Sequence, residues 1–311
     1  MSFHIVNINS PQCSITCKDG QLICRTDEGT KSLPIEDVAS IVITSFSATI
    51  HSNLIIEAAK NGVSLILCEA FKPVSILIPA NRSTDTILTR ALLKTTDKFR
   101  SKLWRKTVDA KCKNQLSLCQ KLAPENQKLE LLKETAFRLI KNKESACSRV
   151  YWQIIAAIIN DSSFRRNSSG SGLNNLLNYG YAVLLSSVLQ NLFALGLDPI
   201  FGISHLPRER GAPLAYDLME PFRPCVDYRV IQWIKNNPNI SELAVTKEFR
   251  KWVTGFTIER VDYFSFKLEI RGCIEGVLRG FRRAIIEQKS NYYRPWIINK
   301  DYLPEMEESP D

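Results

Sequence analysis

Histidine is scarce in this chain of 311 residues; only His4, His51 and His205 are present. Nine cysteines occur, but no two in CxxC spacing. An odd count without paired spacing argues against a disulfide framework. Cys13 and Cys17 enclose three residues, yet no second pair or histidine cluster lies near enough to complete a zinc module. Several cysteines sit in apolar runs, such as Cys68 in VSLILCEA, and read as buried thiols of a reducing compartment. The first stretch, MSFHIVNINS, lacks the basic and long apolar segments of a secretion signal. Long apolar runs are also missing: window 176–197 is interrupted by Asn178, Ser186, Ser187, Gln190 and Asn191. A buried core helix is expected there instead of a membrane span. The expectation is a cytoplasmic protein without membrane contact and without internal repeats.

What is present is an ordinary globular composition with an unusual charge balance. Hydrophobic residues make up 44% and charged residues 23%, which excludes disorder. Lys and Arg number 41 against 32 Asp and Glu, a net charge of +9. Such a surplus favours an anionic partner, nucleic acid above all, unless the protein is basic without one.

The length accommodates two domains, and the pattern changes once along the chain. Residues 3–8, 13–17, 21–25, 40–44, 63–68 and 74–78 are β-prone, with Asp19-Gly20 as a hairpin turn. Ser52 is a candidate cap for a helix over 53–60 that ends near Gly62. Beyond a linker at 81–86, helical periodicity takes over: 87–122, 125–141, 144–158, 174–195, 226–236 and 268–288, with Ser241 capping a shorter helix or turn. The fold class is therefore α+β. A small β-rich N-terminal domain (1–80) precedes a larger all-α domain (87–311).

Chemistry gathers in 196–224, GLDPIFGISHLPRERGAPLAYDLMEPFRP. If Pro213 opens a helix, Asp217 and Glu220 share one of its faces. An imidazole with carboxylates suits Mg²⁺ or Mn²⁺ better than a thiolate metal. The alternatives are a structural histidine in a Gly/Pro-rich turn and a solvated pair of carboxylates. Arg208, Arg210 and Arg223 set cations beside it. Farther off, Glu144 shares a helical stripe with Cys147 and Tyr151. A carboxylate facing a core is paired or coordinates a cation, or else it stays wet in a first turn favoured by the helix dipole. Lys94, Lys98, Lys102 and Arg105/Lys106 recur along 87–122, as either a solvated face or a phosphate-tracking one. Arg165 and Arg166 lie in a polar loop; Arg250, Lys251, Arg282 and Arg283 sit on later helical segments.

Read together, Glu144-Ser-Ala with Tyr151-Trp152, Asn178-Tyr-Gly-Tyr181, Gly196-Leu-Asp-Pro199 with Gly202-Ile-Ser-His205, and Asp217-Leu-Met-Glu220-Pro-Phe-Arg223-Pro224 form a familiar series. Over nearly its full length the chain resembles the CRISPR-associated integrase, the catalytic subunit of the spacer-acquisition complex, and within it the branch of type II systems. The resemblance implies a β-rich dimerisation domain and a helical catalytic domain. It implies a metal-dependent endonuclease and integrase that inserts short foreign DNA fragments into a CRISPR array in prokaryotic antiviral defence. Carried over by position, Glu144, His205 and Glu220 are the catalytic metal ligands, for Mg²⁺ or Mn²⁺, and Asp217 is a supporting acid. The implied partners are double-stranded DNA (prespacer and repeat), a second copy of the chain, and a dimer of a small subunit bridging two homodimers. Arg165, Arg166, Arg208, Arg210, Arg223, Arg250, Lys251, Arg282 and Arg283 are candidate DNA contacts. No Ser or Cys sits beside a His with an orienting carboxylate, so a covalent nucleophile is not expected. Two other functions fit less well: a non-catalytic DNA-binding scaffold, and a branched-DNA repair endonuclease without a partner subunit.

Overall fold

The structure, a computed structural model, describes residues 4–69, 72–77, 86–138, 142–167, 171–205, 211–238 and 243–298. Residues 81–85 of the linker expected at 81–86, the Ser241 cap, Arg208 and Arg210 lie outside these residues, and Thr86 belongs to the first helix of the helical part. Strands form where aliphatic and β-branched residues alternate or run together. They are His4–Ile8 (β1), Gln12–Lys18 (β2), Gln21–Thr26 (β3), Gly29–Pro34 (β4), Val38–Ile43 (β5) and Ser47–Ile50 (β6). The helix Ser52–Lys60 (α1) precedes Ser64–Glu69 (β7) and Lys72–Leu77 (β8).

These strands make two four-stranded sheets, ordered β1-β5-β7-β8 and β4-β3-β2-β6. β2 shows the period of a half-buried strand: Cys13, Ile15 and Cys17 face inward. The Asp19-Gly20 turn is as expected; φ is 52° and 72°, as a two-residue hairpin with mirror-image geometry requires. β5 and β7 are instead buried on both faces. Ile41, Ile43 and Leu65 join the core under α1. Val42, Ile66 and Cys68 turn the other way, against Phe193 and Ala194.

The sequence reading omitted β4 and β6. Both are edge strands, short or polar and largely exposed, so neither carries a clear alternation. Ser52 does not cap α1. His51 takes that position without a side-chain cap, and its ring bonds the Ser14 hydroxyl of β2 at 3.0 Å.

The helical part comprises Thr86–Leu93 (α2), Asp97–Leu122 (α3), Leu129–Phe137 (α4), Lys143–Ile158 (α5), Leu173–Ala194 (α6), Pro213–Met219 (α7), Arg223–Asn236 (α8), Lys247–Thr254 (α9) and Ile270–Glu287 (α10). The single helix expected over 87–122 is two. Thr96 starts the second, its hydroxyl accepting from Phe99 N at 3.2 Å, a side-chain cap that ends one helix and begins another. The helix expected over 125–141 starts later, as α4, and Arg138 is extended at its C-terminal end, while 139–141 lie outside the described residues. A hairpin also stands within the helical part, Arg260–Tyr263 (β9) paired with Phe266–Glu269 (β10); no element is expected from the sequence over 260–267, and the helix expected from 268 begins two residues later, at Ile270.

α6 is the central buried helix. Leu176, Leu184, Val188 and Leu192 are fully covered. Two of its polar side chains bond back to the helix: the Ser186 hydroxyl donates to Ala182 O at 2.8 Å and the Asn191 amide donates to Ser187 O at 2.9 Å. Gly180 permits the close approach of α8, since a Cβ there would stand 2.4 Å from a Val226 methyl. No described helix is long and apolar enough to cross a membrane.

Candidate active site

Proline dictates the local fold of the 213–224 stretch. Pro213 occupies the first turn of α7, where its missing N–H is no loss. Pro221 and Pro224 likewise sit at the starts of the 3-10 turn Glu220–Phe222 and of α8. Asp217 and Glu220 accordingly share a face, and both are buried. The turn is clamped from outside. Asn114 of α3 donates to Pro221 O at 2.7 Å and to Trp296 O at 3.1 Å, and Phe222 stacks on Trp296 with ring centroids 5.6 Å apart.

Asp217 organises the loop that carries His205. Its Oδ2 accepts from Ile203 N at 2.7 Å and Ser204 N at 3.0 Å. Its Oδ1 faces His205 N at 3.2 Å and His205 Nδ1 at 2.6 Å. Gly202 completes this tight loop, because a Cβ there would come within 2.4 Å of His205 O. The hydrogen bond that the ring donates to Asp217 holds the His205 pKa above the ordinary imidazole range, with Glu220 and Glu144 adding to it. When Nδ1–H donates to a carboxylate, the ring's lone pair is presented at Nε2, the arrangement found behind metal-bound histidines.

Glu144 stands in the first turn of α5, and both readings of it hold in part. Its side chain is 36% exposed, and its Oε1 lies 2.7 Å from Lys111 Nζ. The same ammonium lies 2.6 Å from Glu220 Oε2, while Arg223 meets Glu220 Oε1 at 3.0 Å. Burial opposes ionisation of Glu220, yet Lys111 and Arg223 hold its pKa below the usual carboxylate range. Burial likewise works against the charge of Lys111, and Glu220 with Glu144 overrides it.

The three expected ligands therefore converge on one region but do not form a ready cage. Among the described residues, no three His, Cys, Asp or Glu side chains are gathered tightly enough to hold an ion. An ammonium, that of Lys111, stands between the two carboxylates. The donor set nonetheless suits a hard divalent cation. Two carboxylates point at one cationic position, Glu144 Oε1 at 2.7 Å and Glu220 Oε2 at 2.6 Å from the same ammonium, and carboxylate oxygens are the ligands such a cation takes.

The candidate DNA contacts separate. Arg223 is committed to Glu220 and stacks on Tyr181 at 4.8 Å, so it belongs to the site and not to an open surface. Arg166 bonds Asn174 and Asn178 at 2.9 and 2.7 Å, and Arg165 bonds the carbonyls of Ser162 and Phe164. Arg282 donates to Leu195 O at 3.1 Å. Arg250, Lys251 and Arg283 are exposed. Of the cations along α2 and α3, Lys94, Lys98, Lys102 and Arg105 face solvent. Lys106 is instead tied to Ser290 O and Tyr293 O at 2.5 and 3.0 Å.

Sequence reasoning missed two groups. Lys111 shares the buried face of α3 with Leu103, Thr107, Asn114 and Leu118; a lysine on that helical stripe was the available signal. Asp227 of α8 is the other. It accepts from Tyr151 at 2.6 Å and from Tyr181 at 2.5 Å, and burial pushes its pKa up to about 6. The unfolded carboxyl titrates near ~3.9, so this group's contribution to stability is complete below that pH and is lost as pH rises through about 6, by up to ~3 kcal/mol. Chemical denaturation between pH 4 and 7 is expected to show this slope in the wild type and a flatter one in Asp227→Asn.

A family model described as CRISPR associated protein Cas1 matches residues 6–251. The chain belongs to the Cas1 family. Among Cas1 relatives, the CRISPR-associated endonuclease Cas1 of Korarchaeum cryptofilum is 26% identical over 296 residues, covering 82% of this chain and 86% of its own. Two solved structures share the Cas1-family fold. A casposase bound to integration product superposes with a TM-score of 0.72 at 19% identity, over 98% of this chain and 100% of that one. A chain of a partial Cas6-RT-Cas1–Cas2 complex gives 0.73 at 16% identity, over 94% and 98%.

Proposed function

We propose that this Cas1-family chain is a metal-dependent DNA endonuclease and integrase of CRISPR spacer acquisition, joining a DNA 3′-hydroxyl to a repeat phosphodiester. The observation that carries this reading is the convergence of Glu144 and Glu220 on one cationic position, beside a histidine whose Nδ1 is held by Asp217. Glu144, Glu220 and His205 Nε2 would hold Mg²⁺ or Mn²⁺. When bound, such an ion lowers the pKa of the attacking hydroxyl and stabilises charge developing on the phosphate. Asp217 fixes the histidine tautomer, and Arg223 keeps Glu220 ionised inside the fold. The exposed cations Lys94, Lys98, Lys102, Arg105, Arg250, Lys251 and Arg283 would track DNA phosphates, a sequence-tolerant and salt-sensitive mode.

In this reading residues 1–80 form the dimerisation domain and 87–311 the catalytic one. Two homodimers then join through a dimer of the small partner subunit. The edge strand β8 supports pairing of copies, since it exposes Val74 and Leu77 and sheet edges invite partners. The relatives' names support the chemistry: one is called an endonuclease, and the casposase structure holds an integration product.

The test is half-site integration of a labelled duplex into a repeat-bearing DNA. Product is expected with Mn²⁺ or Mg²⁺ and none with excess chelator. Undiminished product in chelator contradicts the metal mechanism, and junction cutting without joining favours a repair endonuclease.

A further inference from the structure

Lys111 is the residue at this site that the motif-bearing stretches do not include. It is buried on α3, and its ammonium occupies the point where Glu144 Oε1 and Glu220 Oε2 converge, at 2.7 and 2.6 Å. Its neighbours on that face are pinned. Thr107 meets the Tyr293 hydroxyl at 2.8 Å, and Asn114 holds the carbonyl of Pro221, so the helix cannot easily shift to withdraw the lysine.

The charge count is already closed. Lys111 and Arg223 balance Glu144 and Glu220, while Asp217 engages His205. A divalent ion on the same two carboxylates would sit against an ammonium in a poorly screened interior, where like charges repel strongly. One cation has to leave. Arg223 is fixed by its place over the Tyr181 ring at 4.8 Å and by its pairing to the other oxygen of Glu220. Lys111 has a compact charge on a flexible four-carbon stem, and so it is the cation free to move.

Resting on the metal-site reading above, we propose that Lys111 is a positioning residue that holds Glu144 and Glu220 together before a divalent ion arrives, and that the ion binds only by displacing its ammonium. The lysine thereby stabilises the metal-free fold, in which buried Glu220 and partly exposed Glu144 would otherwise repel. It also weakens the site's intrinsic affinity, because each binding event must first break two ion pairs. Glu144 and Glu220 come from different helical segments, α5 and the turn after α7, and the lysine is what keeps them in register across that gap.

The experiment compares the full chain with Lys111→Met, which keeps the stem length and removes the charge. Calorimetric titration with Mn²⁺ alone is paired with thermal melts at zero and saturating Mn²⁺. Lys111→Met is expected to melt below the wild type without metal, to bind Mn²⁺ about tenfold more tightly, and to gain more in melting temperature on saturation. A lysine with only a structural role would lower stability without tightening Mn²⁺ binding; equal or weaker binding by folded Lys111→Met overturns the proposal. The wild type supplies a second measurement should the variant fail to fold. The NMR signal of the Lys111 ammonium is expected to move on titration with Mg²⁺, and an unchanged signal at saturation overturns displacement. If the wild type itself binds no Mn²⁺ while Lys111→Met does, the proposal stands in its strongest form. If neither binds, the metal-site reading fails and the proposal with it.

Discussion

Glu220→Gln is expected to lower half-site integration by about a thousandfold, the equivalent of several kcal/mol of lost charge stabilisation. The loss has two origins. The amide is a poorer ligand for a hard cation than the carboxylate. It also leaves Arg223 without its partner and Lys111 with Glu144 alone. Because Glu220 is buried and Arg223 largely so, breaking their pair is expected to cost up to ~3 kcal/mol of stability, less than a wholly isolated charge because Arg223 keeps its place over the Tyr181 ring. The melting temperature of Glu220→Gln is therefore expected to fall even without metal. Integration rates measured on folded protein, with circular dichroism as the control, separate the two effects. A variant that folds and integrates at the wild-type rate contradicts the role assigned to Glu220.

Asp217→Asn is the second large effect. The asparagine oxygen, if placed toward Ile203 and Ser204, still accepts from both amides. Its NH₂ then faces His205 N, a second donor, and His205 Nδ1, which must become an acceptor. The ring proton is forced onto Nε2, the atom that the proposed metal site needs as a ligand. Orienting partners of this kind typically contribute 10–100-fold, so integration is expected to drop by about that factor with Mn²⁺ affinity falling in step. Asp217→Ala removes all four contacts that organise the loop and is expected to lose stability as well. The asparagine variant is expected to have the smaller stability loss but still to suffer the activity loss. Asp217→Asn with unaltered Mn²⁺ binding and unaltered rate would show that Asp217 only braces the loop.

How much of this was legible in the sequence follows from what each residue does. Asp217 and Glu220 lie three residues apart behind a proline, so their shared face could be read from spacing, whereas the bonds that tie the His205 loop to Asp217 could not. Glu144 was visible as a carboxylate on an apolar stripe, with its partner unknown. Lys111 was hidden because its partners come from two other segments and because a lysine on a long basic helix looks solvated. Asp227 was hidden for the same reason: the tyrosines that need it are 76 and 46 residues away in the chain. The split between α2 and α3 turned on one threonine hydroxyl. The edge strands β4 and β6 carried too little hydrophobic alternation to register. Local chemistry was readable; pairings across long loops required the fold.

The most direct test of the central claim is an anomalous-scattering map from crystals soaked in Mn²⁺. The account predicts one strong peak bound by Glu144, Glu220 and His205, with the Lys111 ammonium displaced from between the carboxylates. A map with no peak within ligand distance of these three residues, from crystals in which the metal has bound elsewhere on the protein, would contradict it.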